Sequence, residues 1–330
     1  MTKLRCVLFG YGVMGKNHAR ILKSINKVDL VGIYDSDSHL LSTVFEAPVL
    51  NSIEDVISIA PDYCVVATPS DTHEAITRIL FENNINVLIE KPLSPTYRAC
   101  QNIIEYQKLN GRLAGVGHVE RFNAALGEAK RRLQNGELGQ VFHISTTRVG
   151  PFPARITDVG VTIDLATHDI DLTKWLLETE YDSLTAYSAA LSGRKNEDLI
   201  SVNGQLKNAI LVSHNVSWLS PLKKREIVIT GERGAFKVDT LLSDLTFYQN
   251  GEIEITQKEL SHFRGVTQGP IVTYEFQKPE ALLTEHLEFI KHLMGEPSAT
   301  VTLSDAAGTI KVAEAIVSSS TSSHSLESFI

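Results

Sequence analysis

Gly10, Gly12 and Gly15 stand between an apolar run of strand length, Leu4 to Phe9, and a helical pattern beginning near Val13. That arrangement leaves few folds open. In a strand, turn and helix, the first glycine permits the tight turn and the second lets a pyrophosphate approach the backbone, while the third lets the helix pack closely on the strand. The first helical amides, at Val13 and Met14, then face an anion. Asp35 closes the next apolar run, Val28 to Tyr34, about twenty residues beyond Gly15, where a carboxylate accepts from ribose hydroxyls. The spacing predicts a dinucleotide site.

Asp35 also discriminates between dinucleotides. A carboxylate about 4 Å from one charge of a 2′-phosphate is repelled by roughly 4 kcal/mol at an effective dielectric of 20. Ser36, Asp37 and Ser38 supply no arginine to offset it. The expected cofactor is NAD, not NADP.

Further strand-length runs at Tyr63 to Ala67, Val87 to Ile89 and Leu113 to Val116 alternate with helical patterns. Asp71 reads as the N-cap of one helix. Ser94 with Pro95 opens another that closes at Asn110 and Gly111. Such alternation predicts an α/β Rossmann domain, a doubly wound parallel sheet, over residues 1–120. After one more helix, Ala124 to Gln134, the pattern changes to short alternating strands: Phe142 to Arg148, Thr185 to Leu191, Ile200 to Leu206, Ala209 to Val216, Glu226 to Thr230, Phe236 to Asp239 and Leu245 to Tyr248. Gly231 to Gly234 and Asn250 with Gly251 read as hairpin turns. A helical stretch, Asp164 to Leu177, interrupts the first two strands. Two late helices follow, Pro279 to Met294 and Ser304 to Val317, the latter before a Ser-rich stretch, Ser318 to Ser325, expected to fray. Residues 121–330 are therefore expected to form an α+β domain with a large, mostly antiparallel open sheet, whose late helices pack back on the first domain.

Bulk properties exclude several classes. Thirty-one Lys and Arg against 39 Asp and Glu give a net charge of −8, which argues against a partner held by phosphate neutralisation, so no nucleic acid is expected. No apolar run approaches a membrane span. The three cysteines, Cys6, Cys64 and Cys100, form no CxxC pair and have no zinc-ligand spacing. With a strand beginning almost at Met1, no signal peptide is expected, and the reading is cytoplasmic.

Glu90-Lys91-Pro92 directly follows the strand at Val87 to Ile89, at the sheet edge where doubly wound folds bind ligands. Asp164 and His168 are four residues apart in DLATHDID, and Ala67-Thr68-Pro69 is followed by His73. With the glycine turn, these motifs resemble the Gfo/Idh/MocA oxidoreductases, which act on sugars, inositols and nucleotide sugars. A narrower likeness lies in GHVERFN (117–123), RVGPFPARITDVGV (148–161) and WLSPLKKREIVITGERGAF (218–236). These are similar to the UDP-N-acetylglucosamine 3-dehydrogenases of that family, whose 3-keto product an aminotransferase consumes. The resemblance implies cofactor contacts at Gly10, Tyr11, Gly12, Val13, Met14, Gly15, Asp35, Ser36, Thr68, Pro69, His73, Glu90 and Lys91.

Oxidising a secondary alcohol requires a hydride acceptor and a base for the hydroxyl proton. His168 suits the base because its ordinary pKa lies near working pH. Asp164, one helical turn earlier, can orient the ring, and Asp171 is a second orienter. Lys91 offers a cation beside the reacting oxygen. Proton removal by Lys91 itself stays open. Arg121, Asn123, Arg148 and Arg155, with the basic run Lys223 to Arg225, are the expected substrate contacts, their alternative being rim salt bridges. Trp218 and Phe152 either stack on a nucleobase or pack in the core. Asp164, His168 and Asp171 lack a fourth metal ligand, and His118 with Glu120 lacks the cysteines of a zinc deaminase, so no metal is expected. The competing functions are an inositol or free-sugar dehydrogenase and a non-catalytic NAD-binding regulator. The open sheet, with its alternating apolar residues, predicts a homodimer or homotetramer.

Overall fold

The computed structural model describes residues 3–44, 47–152, 159–251 and 267–319. The chain forms two compact units. One comprises the residues up to Phe122 together with Glu280–Glu314, and the other comprises Asn123–Pro279 with the residues from Ala315 on. The first unit therefore extends slightly beyond residue 120 and recovers a later segment.

In the first unit the chain runs through β1 (Leu4–Phe9), α1 (Val13–Ser24), β2 (Val28–Tyr34), α2 (Ser38–Leu41), β3 (Val49–Leu50), α3 (Ile53–Ile59), β4 (Tyr63–Val66), α4 (His73–Glu82), β5 (Asn86–Glu90), α5 (Tyr97–Asn110) and β6 (Ala114–Gly117). The strands are parallel in the order β3-β2-β1-β4-β5-β6. A parallel sheet must be covered on both faces, which explains why its strands are almost wholly apolar. Val7, Phe9, Cys64, Val66, Val87 and Ile89 pack on one side, and Cys6, Leu8, Tyr63, Val65 and Leu88 on the other. Both layers are completed by helices from the end of the chain. Helix α8 (Ala281–Leu293) adds Leu282, Phe289 and Ile290 to the second face. Helix α9 (Leu303–Ser319) adds Leu303, Ala306, Ala307 and Ile310 to the first.

The second unit contains α6 (Ala124–Gln134), β7 (Val141–Pro151), α7 (Thr167–Leu177), β8 (Tyr181–Ala189), β9 (Leu199–Leu206), β10 (Leu211–Ser217), β11 (Leu219–Gly231), β12 (Gly234–Asp239), β13 (Asp244–Gly251) and β14 (Thr267–Tyr274). Its eight strands lie in the order β14-β13-β12-β11-β7-β10-β9-β8, antiparallel except for β7 and β10. One face, including Ile144, Val212, Ile229, Phe236 and Phe247, packs on Leu126, Leu172 and Leu176 of α6 and α7. The opposite face differs from the expected apolar one. Register sets Ser213 beside Ser145 and Asn203, and Asn215 beside Thr147 and Ser201. Exposed apolar residues on the strands include Tyr187, Leu211, Tyr248 and Ile271.

Several boundaries move for local reasons. Helix α5 begins at Tyr97 rather than Ser94, because the Thr96 hydroxyl accepts from the Ala99 amide and caps it. Asp71 is not a cap; it lies in a 3-10 turn, Ser70–Thr72, and Thr72 precedes α4. Asn250 and Gly251 form no turn, being paired within β13 to Gln268 and Thr267. Ser318 and Ser319 are helical, and the rest of the Ser-rich tail lies outside the described residues.

Candidate active site

Two glycines of the turn have separate physical causes. Gly10 has φ +89°, and a Cβ there would stand 2.5 Å from the Ala67 carbonyl oxygen. At Gly15 it would stand 2.0 Å from the carbonyl oxygen of Gly10. At Gly12 it would meet nothing within 4 Å among the described residues. Packing within the protein thus demands Gly10 and Gly15, whereas the backbone at Gly12 is left open among the described residues. Helix α1 starts at this point with no side-chain cap and no acidic residue in its first turn, so its dipole and first amides suit an anion. Asp35 follows β2 half-buried. Its carboxylate accepts from the Tyr11 amide at 2.6 Å and the Asp37 amide at 2.8 Å, tying the glycine turn to β2. Each oxygen retains a lone pair for a hydroxyl donor. Ser36 beside it is exposed, as is Val13. A pyrophosphate with an adjoining diol fits this cradle.

Because the strands are parallel, the segments after β4 and β5 share the sheet edge with the turn. They are the Thr68-Pro69 loop and the Lys91-Pro92 pair, whose peptide is cis. His73 joins them from beneath. Its Nε2 lies 3.0 Å from the Thr68 carbonyl oxygen, and its Nδ1 lies 3.1 and 3.2 Å from those of Pro92 and Leu93. Burial pushes its pKa down, against the pull of the carbonyl oxygens that face both ring nitrogens, and the ring lies between the two loops. Glu90, 7% exposed, points inward: one oxygen meets His18 Nε2 at 2.8 Å and the other accepts from the Lys91 amide at 2.9 Å. Lys91 is half-buried.

In the second unit, α7 is preceded by a π-helical turn, Thr162–Ala166, closed by the Thr167 amide donating to the Thr162 carbonyl. Single π turns recur at functional sites. Asp164 is buried on this turn, with His168 half-buried four residues on. Asp169 and Asp171 are both 1% exposed. Asp169 accepts from Arg148 Nε at 2.9 Å, which turns an expected substrate contact into a buried ion pair. Deeper in the same unit, His214 lies between the Thr146 hydroxyl at 2.8 Å and the Tyr181 hydroxyl at 2.7 Å. Burial and the charge of Arg148 push its pKa down to about 3.

Other expected substrate contacts are partly committed. Arg121 pairs with Asp305 at 3.6 Å. Asn123 caps α6 through the Ala125 amide and donates to the Thr240 carbonyl. Lys224 pairs with Glu226, and Arg225 donates to the Val149 carbonyl. Arg155 lies outside the described residues. Trp218 is buried, with Phe152 edge-on at 5.4 Å and the Arg194 guanidinium over both rings. Burial pushes all three thiols up, Cys100 to about 12, so none is a ready nucleophile. Among the described residues, no three His, Cys, Asp or Glu side chains come together to hold a metal ion, and no helix is long and apolar enough to cross a membrane.

His18, the Arg148–Asp169 pair and His214 were absent from the sequence-derived site. A signal existed for two of them. His18 lies three residues past Gly15 in α1, and Arg148 shares the inward parity of Ile144 and Thr146 on β7.

Comparison with known proteins adds kinship. Residues 4–118 match the Gfo/Idh/MocA oxidoreductase family, NAD-binding Rossmann fold, and residues 130–327 match its C-terminal alpha/beta domain. The chain is 32% identical to inositol 2-dehydrogenase 4 of Saccharopolyspora erythraea over 61% of this chain and 63% of that one. Matches to three inositol 2-dehydrogenases span 59 to 63% of their lengths. It is 24% identical to the UDP-N-acetylglucosamine 3-dehydrogenase of Acidithiobacillus ferrooxidans, over 76% of this chain and 79% of that one. The solved structure of that enzyme superimposes with a TM-score of 0.82 at 21% identity, covering 97% and 98% of the two chains. The WlbA dehydrogenase of Bordetella pertussis, solved with NADH and UDP-GlcNAcA, superimposes with a TM-score of 0.81 at 20% identity, covering 97% and 96%. At these identities, structural likeness speaks for the fold.

Proposed function

The chain belongs to the Gfo/Idh/MocA oxidoreductase family, and from that membership we propose that it uses NAD to oxidise a secondary hydroxyl of a sugar, C3 of UDP-N-acetylglucosamine. The observation that carries the reading is a single sheet edge. The glycine turn, Asp35, the Thr68 loop and Lys91 all follow the carboxyl ends of parallel strands there, where doubly wound sheets bind their ligands. When bound, the nicotinamide supplies the hydride acceptor.

The chain's own groups are assigned separate tasks. Lys91 holds the hydroxyl and stabilises developing alkoxide charge. His168 takes the proton, and Asp164 orients its ring. Arg148 enters as the partner of Asp169, the residue next to His168, rather than as a phosphate ligand. Lys223 and Arg155 are the cations assigned to the diphosphate. The nucleotide-sugar reading draws on the longer sequence match to the Acidithiobacillus enzyme. A second reading, an inositol dehydrogenase, draws on the higher identity to the Saccharopolyspora relative. The open face of the eight-stranded sheet is assigned to a homodimer or homotetramer, and light scattering that found a 36 kDa monomer would remove that assignment. The buried free thiols suit a reducing cytoplasm, and a 3-keto product is a substrate for an aminotransferase.

Absorbance at 340 nm, followed with NAD and each of UDP-N-acetylglucosamine, myo-inositol and glucose, tests the proposal. Turnover of the nucleotide sugar supports it, and turnover of inositol alone selects the second reading. Tight NAD binding without reduction in any mixture, including one coupled to an aminotransferase, would leave a non-catalytic NAD-binding regulator.

A further inference from the structure

Behind Lys91 lies a chain of buried ionisable groups that the reaction does not use directly. His18 of α1 and His286 of α8 are each 0% exposed, and Glu285 is 2% exposed. His18 Nδ1 lies 2.8 Å from His286 Nε2, and the two rings meet edge to face, with centroids 5.0 Å apart. On the other side, His18 Nε2 lies 2.8 Å from Glu90 Oε1, and Glu90 Oε2 accepts the Lys91 amide. Three side chains, from α8, α1 and β5, thus end on one backbone amide of the Lys91 turn.

From this geometry we propose that His18 is a positioning residue for Lys91, acting through Glu90; the proposal rests on the assignment of Lys91 to the reaction. A carboxylate this deep costs several kcal/mol unless both oxygens are satisfied. His18 satisfies one and the Lys91 amide the other, so the Glu90 side chain is locked. Its lock fixes the plane of the peptide from which Lys91 projects. Burial opposes ionisation of Glu90, yet the hydrogen bond from His18, with Lys91 nearby, holds its carboxyl below the ordinary value.

His286 sets the hydrogen positions. Its Nδ1 has no partner among the described residues, so a hydrogen placed there would be a buried donor without an acceptor among them. Placed on Nε2, the same hydrogen is given to His18 Nδ1. His18 must then carry its own on Nε2, where Glu90 accepts it. Burial pushes the His286 pKa well down, and burial beside Glu90 pushes that of Glu285 well up. Both stay neutral and leave the charge on Glu90.

Two substitutions separate this role from bulk packing. Glutamine presents an amide at the place of Nε2 and asparagine at the place of Nδ1. His18→Gln therefore keeps the donor to Glu90, and His18→Asn keeps only the contact with His286. Amide exchange, measured by mass spectrometry on the NAD-bound protein, reads the turn without any sugar. In His18→Ala and His18→Asn, segment 88–95 should exchange about tenfold faster or more, as loss of a charged hydrogen bond requires, with β1 and the rest of α1 unchanged. His18→Gln should restore protection. In turnover, His18→Ala should lose about ten- to a hundredfold in kcat with the NAD Kd held within about twofold, the signature of a displaced reacting group. Equal behaviour of the glutamine and asparagine variants, or faster exchange throughout the first unit, would overturn the proposal. Should His18→Ala not fold, the glutamine and asparagine pair alone carries the comparison. If the wild-type enzyme reduces NAD with no sugar, the dehydrogenase reading fails, and the exchange data still decide whether His18 positions the turn.

Discussion

Alanine at Gly12 and alanine at Gly15 put the same methyl group into one turn, and the structure sets opposite outcomes for them. At Gly15 the added carbon would lie 2.0 Å from the Gly10 carbonyl oxygen, against 3.4 Å or more for an ordinary contact. Backbone has to move, and overpacking of that kind costs about 1–3 kcal/mol. At about 2–4 °C per kcal/mol for a unit of this size, Tm should fall by roughly 2–12 °C. At Gly12, φ −68° and ψ −160° are open to alanine, and nothing lies within 4 Å. Stability should stay within about 1 kcal/mol of wild type, a weaker N-cap being offset by a less flexible unfolded chain. NAD should suffer instead. Holding the pyrophosphate off one charge-assisted amide contact costs about 1.5–3 kcal/mol and raises Kd about 10- to 150-fold. Thermal melts and titration calorimetry on the two variants make the comparison. Wild-type NAD affinity in Gly12→Ala, or a melt as low as that of Gly15→Ala, would refute the assignment of Gly12 to the ligand.

Wild type should prefer NAD to NADP in kcat/KM by on the order of a hundredfold or more, from the roughly 4 kcal/mol repulsion at Asp35, and Asp35→Ser should narrow the ratio; equal use of both cofactors by wild type would contradict this. His168→Ala should lower kcat at least about a hundredfold with NAD affinity unchanged, and undiminished turnover would reassign the proton to Lys91. Arg148→Ala removes the guanidinium paired with buried Asp169 and should cost about 3–5 kcal/mol in chemical denaturation, most of it recovered in Arg148→Met/Asp169→Leu; a mild single variant would mean that the pair carries little of the stability. His214 has a folded pKa of about 3 against an ordinary 6.5, so the unfolded chain binds a proton that the folded ring refuses. Its contribution is complete above pH 6.5 and drains as pH falls toward 3. His214→Gln should flatten that acid slope, and an unchanged slope would exonerate His214.

Where a local rule decided the structure, the sequence was readable. Strands β1 and β2 and helix α6 have the expected limits because a period and a glycine or asparagine mark their ends. Strand β14 was missed because TQGPIVTY mixes Gly and Pro into an edge strand, and β3 is too short to show a period. Strand β11 begins seven residues before its apolar run, through Leu219 to Arg225, held by pairing to β7 rather than by its own composition. The candidate site divides in the same way. The glycine turn and Asp35 follow local spacing, and the structure gives Gly10, Gly15 and Asp35 a physical cause. Arg148 has one substrate-like appearance in sequence and another meaning once β7 turns it inward toward Asp169. His18 and His286 are 268 residues apart, and no local pattern pairs them.

The return of α8 and α9 also orders events at the ribosome. The nucleotide-binding unit is begun first, yet both faces of its sheet wait for residues 280–314. Meanwhile residues 123–279 are made, which at 5–20 residues per second takes roughly 10–30 s. During that interval Phe9, Val66, Leu88 and their neighbours have only part of their cover. A nascent chain stalled before α8 should therefore recruit holding chaperones to its oldest segment, while the later-made unit can already fold. Synthesis from N to C terminus starts the dinucleotide fold before residues 123–279 and covers its sheet only after them, and its His18–His286 contact can form only once α8 is made.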